Sequence, residues 1–263
     1  KQTSNRKDTA NMAFIQIDFY SNALGMHTHA NIILPQKPFK CPDTPNTIAQ
    51  TCPVLYLLHG QSDDETAWTR LSSIERYAQR LGWAVIMPTT HRAWYTDSLL
   101  GNYFTYVAQE LPTVCHNFFP QLSEKREDTY VAGLSMGGYG AFKCALTYPE
   151  VYGTAGSLSG ALDMHHPNIG PEYNMLFGDH WQGTANDLFT LAKRCVEANS
   201  PKPRMFQWCG TSDFLYQDNL HFRDYMESLH FPEYHYEESE GDHCWDNWDP
   251  KIERFLQWAT KQA

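Results

Sequence analysis

The hydrophobic and polar positions of this chain predict strands and helices that alternate. Apolar and polar residues alternate at positions 13–20 and 27–34, which predicts two outer strands that form a hairpin. The apolar runs at 54–58 and 84–87 are continuous, which is typical of strands buried on both faces. Strands that alternate with helices imply right-handed crossovers, so the pattern predicts a mostly parallel α/β sheet with helices on both faces.

The rest of the chain continues this alternation. Pro112 falls inside a predicted helix and should kink or restart it. Further strands are predicted at 129–132, 152–158, 204–209 and 234–237, and helices at 72–81, 103–119, 136–148, 186–198, 214–229 and 247–260.

The length of 263 residues suits one large α/β domain, which we expect to span residues 12–263. The polar stretch before Met12 is expected to be an expression-derived or disordered extension, residues 1–11. An irregular segment at 160–183 lies where a small cap could be inserted, and we interpret it as such.

The charge of the chain bears on its partners. A formal net charge of −10 and the lack of a Lys/Arg-rich run argue against nucleic acid and against an anionic membrane as partners. No apolar stretch approaches the roughly 20 residues of a membrane span. We therefore expect a small-molecule partner, and the residues leave open whether the chain forms a homo-oligomer.

The seven cysteines are scattered and follow no regular spacing. Such a set favours free thiols in a reducing compartment, and hence a cytoplasmic protein. Cys41 and Cys52 flank a Pro-rich loop, and a disulfide between them is the less favoured alternative. No Cys/His cluster has the spacing of a zinc site, so no metal is expected, including at His165 and His166.

Ser135 lies between two glycines, Gly133 and Gly137, directly after a predicted strand. In a nucleophile elbow a serine occupies such a strained turn between a strand and a helix, because side chains at the glycine positions would clash. The pattern is short enough to arise by chance. Its interpretation therefore depends on the residues that follow.

A serine nucleophile needs a histidine to take its proton and a carboxylate to orient that histidine. Behind such an elbow the acid and then the base follow along the chain. His243 follows the last predicted strand in a loop, and we assign it as the base. Asp213 follows the strand at 204–209 and is favoured as the acid over Asp242, because adjacent residues rarely present their side chains to each other. Asp213 could also cap the helix behind it.

The oxyanion formed in such a reaction needs backbone N–H donors. Met136 follows the nucleophile at a helix N-terminus and is one predicted donor. The second is expected in the loop after strand 54–58, where Gly60 lets the backbone approach Ser135. We choose Gln61, with Ser62 as the alternative.

The chain resembles the esterase D branch of the α/β-hydrolases, which includes S-formylglutathione hydrolases, and most closely its bacterial tributyrin esterases. The matching segments are YLLHG at 56–60, WYTD at 94–97, ELP at 110–112, AGLSMGGYGA at 132–141, GTSDFLY at 210–216 and GDH at 241–243.

The resemblance implies an α/β-hydrolase fold, a Ser135–Asp213–His243 triad and an oxyanion hole from Gln61 and Met136, without a cofactor. It also places Trp94, Tyr95 and Gly60 near the substrate, with core packing as the alternative for Trp94. The chain departs from the family at Gln61, where a hydrophobic residue is more usual.

These residues together predict a cofactor-free carboxylesterase that hydrolyses short-chain acyl esters through an acyl-serine intermediate. Two alternatives remain within catalysis, the hydrolysis of the thioester S-formylglutathione and the deacylation of acetylated or feruloylated polysaccharide. A non-catalytic binding module on the same fold is an alternative of another class. Such modules usually lack a triad residue, whereas here all three are present.

Overall fold

A mixed β-sheet of eight strands forms the centre of the protein. The computed structural model describes residues 11–36, 51–163, 175–178 and 181–260. In chain order the strands are β1 (Met12–Ser21), β2 (Met26–Pro35), β3 (Val54–Leu58), β4 (Ala84–Pro88), β5 (Asp97–Ser98), β6 (Gly101–Asn102), β7 (Thr129–Leu134), β8 (Thr154–Leu158), β9 (Arg204–Gly210) and β10 (Tyr234–Ser239). β5 and β6 pair with each other, and the other eight form the large sheet in the order β1-β2-β4-β3-β7-β8-β9-β10.

Most neighbouring strands of the large sheet are parallel. β1 pairs antiparallel with β2, from Met12 opposite Pro35 to Ser21 opposite Met26, and β2 pairs antiparallel with β4. The strands from β4 through β3, β7, β8 and β9 to β10 run parallel. The predicted N-terminal hairpin and the mostly parallel sheet are confirmed.

Helices cover both faces of this sheet. They are α1 (Ala67–Leu71), α2 (Ile74–Leu81), α3 (Tyr103–Thr105), α4 (Leu111–Phe118), α5 (Met136–Thr147), α6 (Leu188–Glu197), α7 (Tyr216–Ser228) and α8 (Trp245–Ala259). α1, α2 and α8 pack in one apolar cluster, and α3 to α7 pack in the other. Among the described residues, no helix has both the length and the apolar character needed to span a bilayer.

Strand β3 shows why the sequence is continuously apolar here. Leu55 and Leu57 belong to the cluster on one face, whereas Val54, Tyr56 and Leu58 belong to the cluster on the other. Successive side chains of a strand point to opposite faces, so a strand covered by helices on both sides needs apolar residues at every position.

The predicted helix at 103–119 is interrupted. A π-helical turn at Tyr106–Glu110 separates α3 from α4, and α4 restarts with Pro112 in its first turn. Proline is tolerated there because the first N–H groups of a helix have no intrahelical partner. Glu110 accepts a hydrogen bond from the backbone N–H of Asn22 at 2.6 Å, which fastens this segment to the turn between β1 and β2.

The carboxyl ends of the parallel strands meet at one edge of the sheet. The register sets Leu58 opposite Gly133, Leu134 opposite Leu158, and Leu158 opposite Trp208. The chain passes from β3 to β4 on one side and from β7 to β8 on the other, so the strand order reverses between β3 and β7. Open α/β sheets bind their ligands in the crevice at such a reversal.

Some predicted features lie outside the described residues. This applies to the expected extension at residues 1–11, apart from Asn11, and to most of the expected cap at 160–183. It also applies to Cys41, whereas Cys52 is described and is a free thiol.

Candidate active site

Ser135 occupies a sharp turn between β7 and α5. Its backbone has φ of 52° and ψ of −119°, a strained conformation for a residue with a side chain. A Cβ on Gly133 would collide with the carbonyl of Gly137, and a Cβ on Gly137 would collide with the carbonyl of Leu58. Close backbone packing therefore requires both glycines, and the turn has the geometry of a nucleophile elbow.

Asp213 and His243 form a close pair. The Nδ1 atom of His243 lies 2.8 Å from Oδ2 and 3.0 Å from Oδ1 of Asp213. The Asp213 side chain is fully buried, and its Oδ1 also accepts the N–H of Leu215 at 2.8 Å. The carboxylate keeps the imidazole proton on Nδ1, so Nε2 is the basic nitrogen of His243.

The loop after β8 links this pair to the nucleophile. The indole ring of Trp248 packs edge-on against the His243 ring, with centroids 4.8 Å apart, and its Nε1–H donates to the hydroxyl of Ser159 at 3.2 Å. In the same loop the N–H of Ala161 donates to the carbonyl of Ser135 at 3.2 Å. The turn that carries Ser135 is thus connected to the loops that carry Asp213 and His243 through the loop after β8 and through Trp248 of α8.

Asp242, the alternative acid, is engaged elsewhere. Its Oδ1 accepts hydrogen bonds from the thiol of Cys244 and from Nδ2 of Asn247, both at 2.9 Å. The hydrogen bond from Cys244 is the largest cause that lowers the pKa of Asp242. Asp242 therefore closes the turn before α8, and the geometry favours Asp213 as the partner of His243.

Two other histidines also contact carboxylates. His221 Nδ1 lies 2.6 Å from Asp163, and His235 Nε2 lies 2.8 Å from Glu237. His221 belongs to α7, and His235 lies inside β10. A histidine beside a carboxylate is therefore not diagnostic in this protein. His243 is set apart because its contact with a fully buried carboxylate joins the loops after two neighbouring parallel strands.

The loop after β3 and the start of α5 meet beside Ser135. A Cβ placed on Gly60 would lie 3.7 Å from the Cβ of Ser135, so the peptide between Gly60 and Gln61 borders the nucleophile. Met136 is fully buried at the N-terminus of α5, where backbone N–H groups lack intrahelical acceptors. Donation by the N–H groups of Gln61 and Met136 to an oxyanion stays a prediction.

His59 is buried directly behind this peptide. Its Nδ1 atom lies 2.7 Å from the carbonyl oxygen of Gly60, and its Nε2 accepts the backbone N–H of Thr90 at 3.0 Å. Burial lowers the pKa of His59 to about 4. The imidazole is therefore neutral and carries its proton on Nδ1. The sequence gives only a weak signal for this buried, hydrogen-bonded position of His59, because a polar residue after a buried strand also suits an ordinary turn.

Trp94 and Tyr95, predicted near the substrate, are both buried, with 2% and 0% of their surface exposed. The Tyr95 hydroxyl donates to the carbonyl of His59 at 2.9 Å. The Trp94 ring packs against Tyr139 of α5, with centroids 6.1 Å apart. Both side chains support the elements that carry the site, and a contact of either with substrate stays a prediction.

Lys143 of α5 was not singled out by the sequence analysis. Its buried Nζ donates to the carbonyl of Tyr95 at 3.0 Å, to Oγ1 of Thr96 at 2.9 Å and to Oδ1 of Asn186 at 2.7 Å. Nζ also lies 4.5 Å from the centre of the Phe104 ring. Burial lowers the pKa of Lys143 to about 7. A single lysine within an apolar helical stretch was the available signal for an interior network.

The described residues contain no group of three or more side chains suited to hold a metal ion. Asp64, in the acidic stretch after Gly60, accepts the N–H of Thr66 at 2.8 Å and thereby stabilises the turn before α1. His165 and His166 lie outside the described residues.

The sheet topology, the serine elbow after β7 and the Asp–His pair after β9 and β10 together define an α/β-hydrolase. Residues 21–259 match the sequence model of the family described as "Putative esterase". The chain belongs to this family, and it is a serine hydrolase that acts on ester bonds.

Individual relatives are similar over nearly their whole length. The acetyl esterase of Caldicellulosiruptor saccharolyticus is 32% identical over 95% of this chain and 99% of its own. The substrate-bound structure of FphF, a fluorophosphonate-binding serine hydrolase of Staphylococcus aureus, is 35% identical, with a TM-score of 0.87 over 95% of this chain and 99% of its own. The S-formylglutathione hydrolase FrmB of Staphylococcus aureus is 36% identical, with a TM-score of 0.85 over 96% of this chain and 100% of its own.

Proposed function

We propose that the protein is a carboxylesterase that hydrolyses short-chain acyl esters with Ser135, Asp213 and His243. The observation that carries this proposal is the fully buried Asp213 carboxylate on Nδ1 of His243, at the sheet edge that holds the Ser135 elbow. The preference for short acyl groups is supported by the similarity to an acetyl esterase over nearly its whole length.

Acylation would begin at the Ser135 hydroxyl. Its oxygen attacks the ester carbonyl carbon while Nε2 of His243 takes the hydroxyl proton, and the Asp213 carboxylate stabilises the resulting imidazolium. The N–H groups of Gln61 and Met136 stabilise the negative carbonyl oxygen. The carbon–oxygen bond to the alcohol then breaks, and His243 returns the proton to the departing alcohol.

Deacylation repeats these steps with water as the nucleophile. His243 takes a proton from the water as it attacks the acyl-serine carbonyl, and the same donors hold the oxyanion. The bond to Ser135 Oγ breaks, His243 protonates that oxygen, and the carboxylic acid leaves. Neither half of the reaction calls for a cofactor.

Labelling with a fluorophosphonate probe tests the nucleophile directly. We expect the wild-type protein to be labelled at Ser135, and Ser135→Ala to lose the label and to lose at least about 10⁴-fold in kcat. Ser228→Ala is the control, because this serine is exposed at the end of α7. Unchanged labelling of Ser135→Ala would contradict the assignment of the nucleophile.

S-formylglutathione is a second candidate substrate, because a structure 36% identical over 96% of this chain is described as an S-formylglutathione hydrolase. Values of kcat/KM separate these candidates and the acylated polysaccharide. They are measured for p-nitrophenyl acetate, butyrate and decanoate, for S-formylglutathione, and for acetylated or feruloylated xylan. We expect kcat/KM to be higher for the acetate and butyrate esters than for the decanoate ester. A higher value for the thioester or for xylan would replace the short-chain ester as the preferred substrate.

We also propose that the protein works in the cytoplasm. The proposal is supported by the six cysteines of the described residues, which are all free thiols. Thiol titration of the protein purified under non-reducing conditions tests it. Seven reactive thiols after denaturation are expected, and a disulfide in the native protein would argue for an oxidising compartment.

A further inference from the structure

The His59 imidazole is fixed at both nitrogens. Nδ1–H donates to the carbonyl oxygen of Gly60 at 2.7 Å, and Nε2 accepts the backbone N–H of Thr90 at 3.0 Å. The backbone of His59 is held as well, because the Tyr95 hydroxyl donates to its carbonyl at 2.9 Å. With the ring and the backbone both restrained, His59 offers its Nδ1 proton in one direction.

That direction determines how the next peptide is oriented. The Gly60 carbonyl accepts from His59 Nδ1 and, at 3.2 Å, from the N–H of Asp63. In a trans peptide the N–H points opposite to the C=O of the same unit. Two donors that hold the Gly60 carbonyl therefore also aim the N–H of Gln61, on a peptide that borders Ser135.

We infer that His59 is a positioning residue for the oxyanion hole: its Nδ1–H holds the Gly60 carbonyl and thereby directs the Gln61 N–H at the ester carbonyl oxygen. The inference rests on the proposed function, and it adds a residue that does not touch the reacting atoms. Preorganised donors lower a barrier because they need no reorganisation when charge develops.

Each nitrogen of His59 can be mimicked separately. In His59→Asn the Nδ2 amide group lies near the position of the imidazole Nδ1 and can still donate to Gly60. In His59→Gln the amide lies near the position of Nε2 and can still accept from Thr90, but the donor to Gly60 is lost. The two variants therefore form a matched pair that differs in the proposed contact.

Steady-state kinetics with p-nitrophenyl acetate should distinguish these variants. We expect His59→Gln to lose about 10- to 100-fold in kcat, with KM changed by less than about twofold, because the donor is misdirected in the transition state. His59→Asn should keep kcat within about threefold of wild type. Equal losses in both variants, a larger loss in His59→Asn, or a wild-type kcat in His59→Gln would overturn the inference.

A measurement on the wild-type protein covers the case in which a variant fails to fold. ¹⁵N NMR of histidine-labelled protein should show His59 as the neutral Nδ1–H tautomer from pH 8 down to pH 5. An Nε2–H tautomer, or protonation in that range, would overturn the inference. The outcomes remain separable, since absence of wild-type esterase activity counts against the proposed function, whereas an active wild type with the opposite variant order counts against His59 alone.

Discussion

Replacement of Asp213 by Asn removes one charge and almost no volume. The carboxylate lies 2.8 Å from His243 Nδ1 and is fully buried, so it is screened little by water. Two unit charges about 4 Å apart at an effective dielectric constant near 20 attract by about 4 kcal/mol. This stabilisation of the imidazolium exists in the transition state and is absent in the ground state, so its loss corresponds to about 10³-fold in kcat.

The tautomer of His243 adds to this loss. An Asn amide can donate to Nδ1, which would move the imidazole proton to Nε2, where the base must be unprotonated. We therefore expect a total decrease of about 10³- to 10⁴-fold in kcat for Asp213→Asn, with KM almost unchanged. Hydrolysis of p-nitrophenyl acetate near pH 8 measures it, and far-UV circular dichroism confirms that the fold is retained.

Asp242→Asn is the matched control for this experiment. Asp242 adjoins His243 in the chain but bonds to Cys244 and Asn247, so its replacement should change kcat by less than about fivefold. A larger decrease in kcat for Asp242→Asn than for Asp213→Asn would refute the assignment of the acid. A kcat within about tenfold of wild type in Asp213→Asn would refute the electrostatic reasoning.

Three further predictions concern stability. Lys143→Met should lower the free energy of unfolding by about 3 kcal/mol in urea titrations, because the buried acceptors of Tyr95 and Thr96 and the half-buried acceptor of Asn186 each lose a donor worth about 1 kcal/mol. Lys193→Met, at an exposed position, should change the free energy of unfolding little. Gly137→Ala should lower the melting temperature and abolish activity, because its Cβ would collide with the Leu58 carbonyl; unchanged values would contradict the packing. Burial lowers the pKa of His59 to about 4, so as the pH falls the unfolded chain takes up a proton near pH 6.5, before the folded protein does. The free energy of unfolding should therefore fall by about 2 kcal/mol between pH 7 and pH 5. His59→Asn should lack this decrease.

Much of the fold follows from the apolar pattern. β3 spans Val54–Leu58, as its uninterrupted apolar run predicts, and α4 begins at Leu111, beside the proline that predicts a kink or restart. Both features can be predicted from a few neighbouring residues. A strand buried on both faces needs apolar residues at every position, and a proline lacks the N–H that a helix interior requires.

The segment at 72–81 shows where local patterns fall short. The helix predicted there is present as α2, Ile74–Leu81, but it begins two residues later, and α1 at Ala67–Leu71 lies outside the predicted range, with a break between the two helices at Ser72 and Ser73. The Ser73 N–H donates to the Asp249 carboxylate of α8 at 2.8 Å. The group that satisfies the start of α2 thus comes from a distant part of the chain, which the pattern within 72–81 does not contain.

The sequence by itself determined the alternation of strands and helices and the residue types of a serine hydrolase. Both can be recognised from short runs of consecutive residues. The tertiary structure decided which carboxylate meets His243, which nitrogen of His59 carries the proton, and that Lys143 joins three distant segments. Hydrogen bonds need distances near 3 Å and a defined direction. Those conditions are met between residues far apart in the chain only after the register of the sheet has aligned the strand ends.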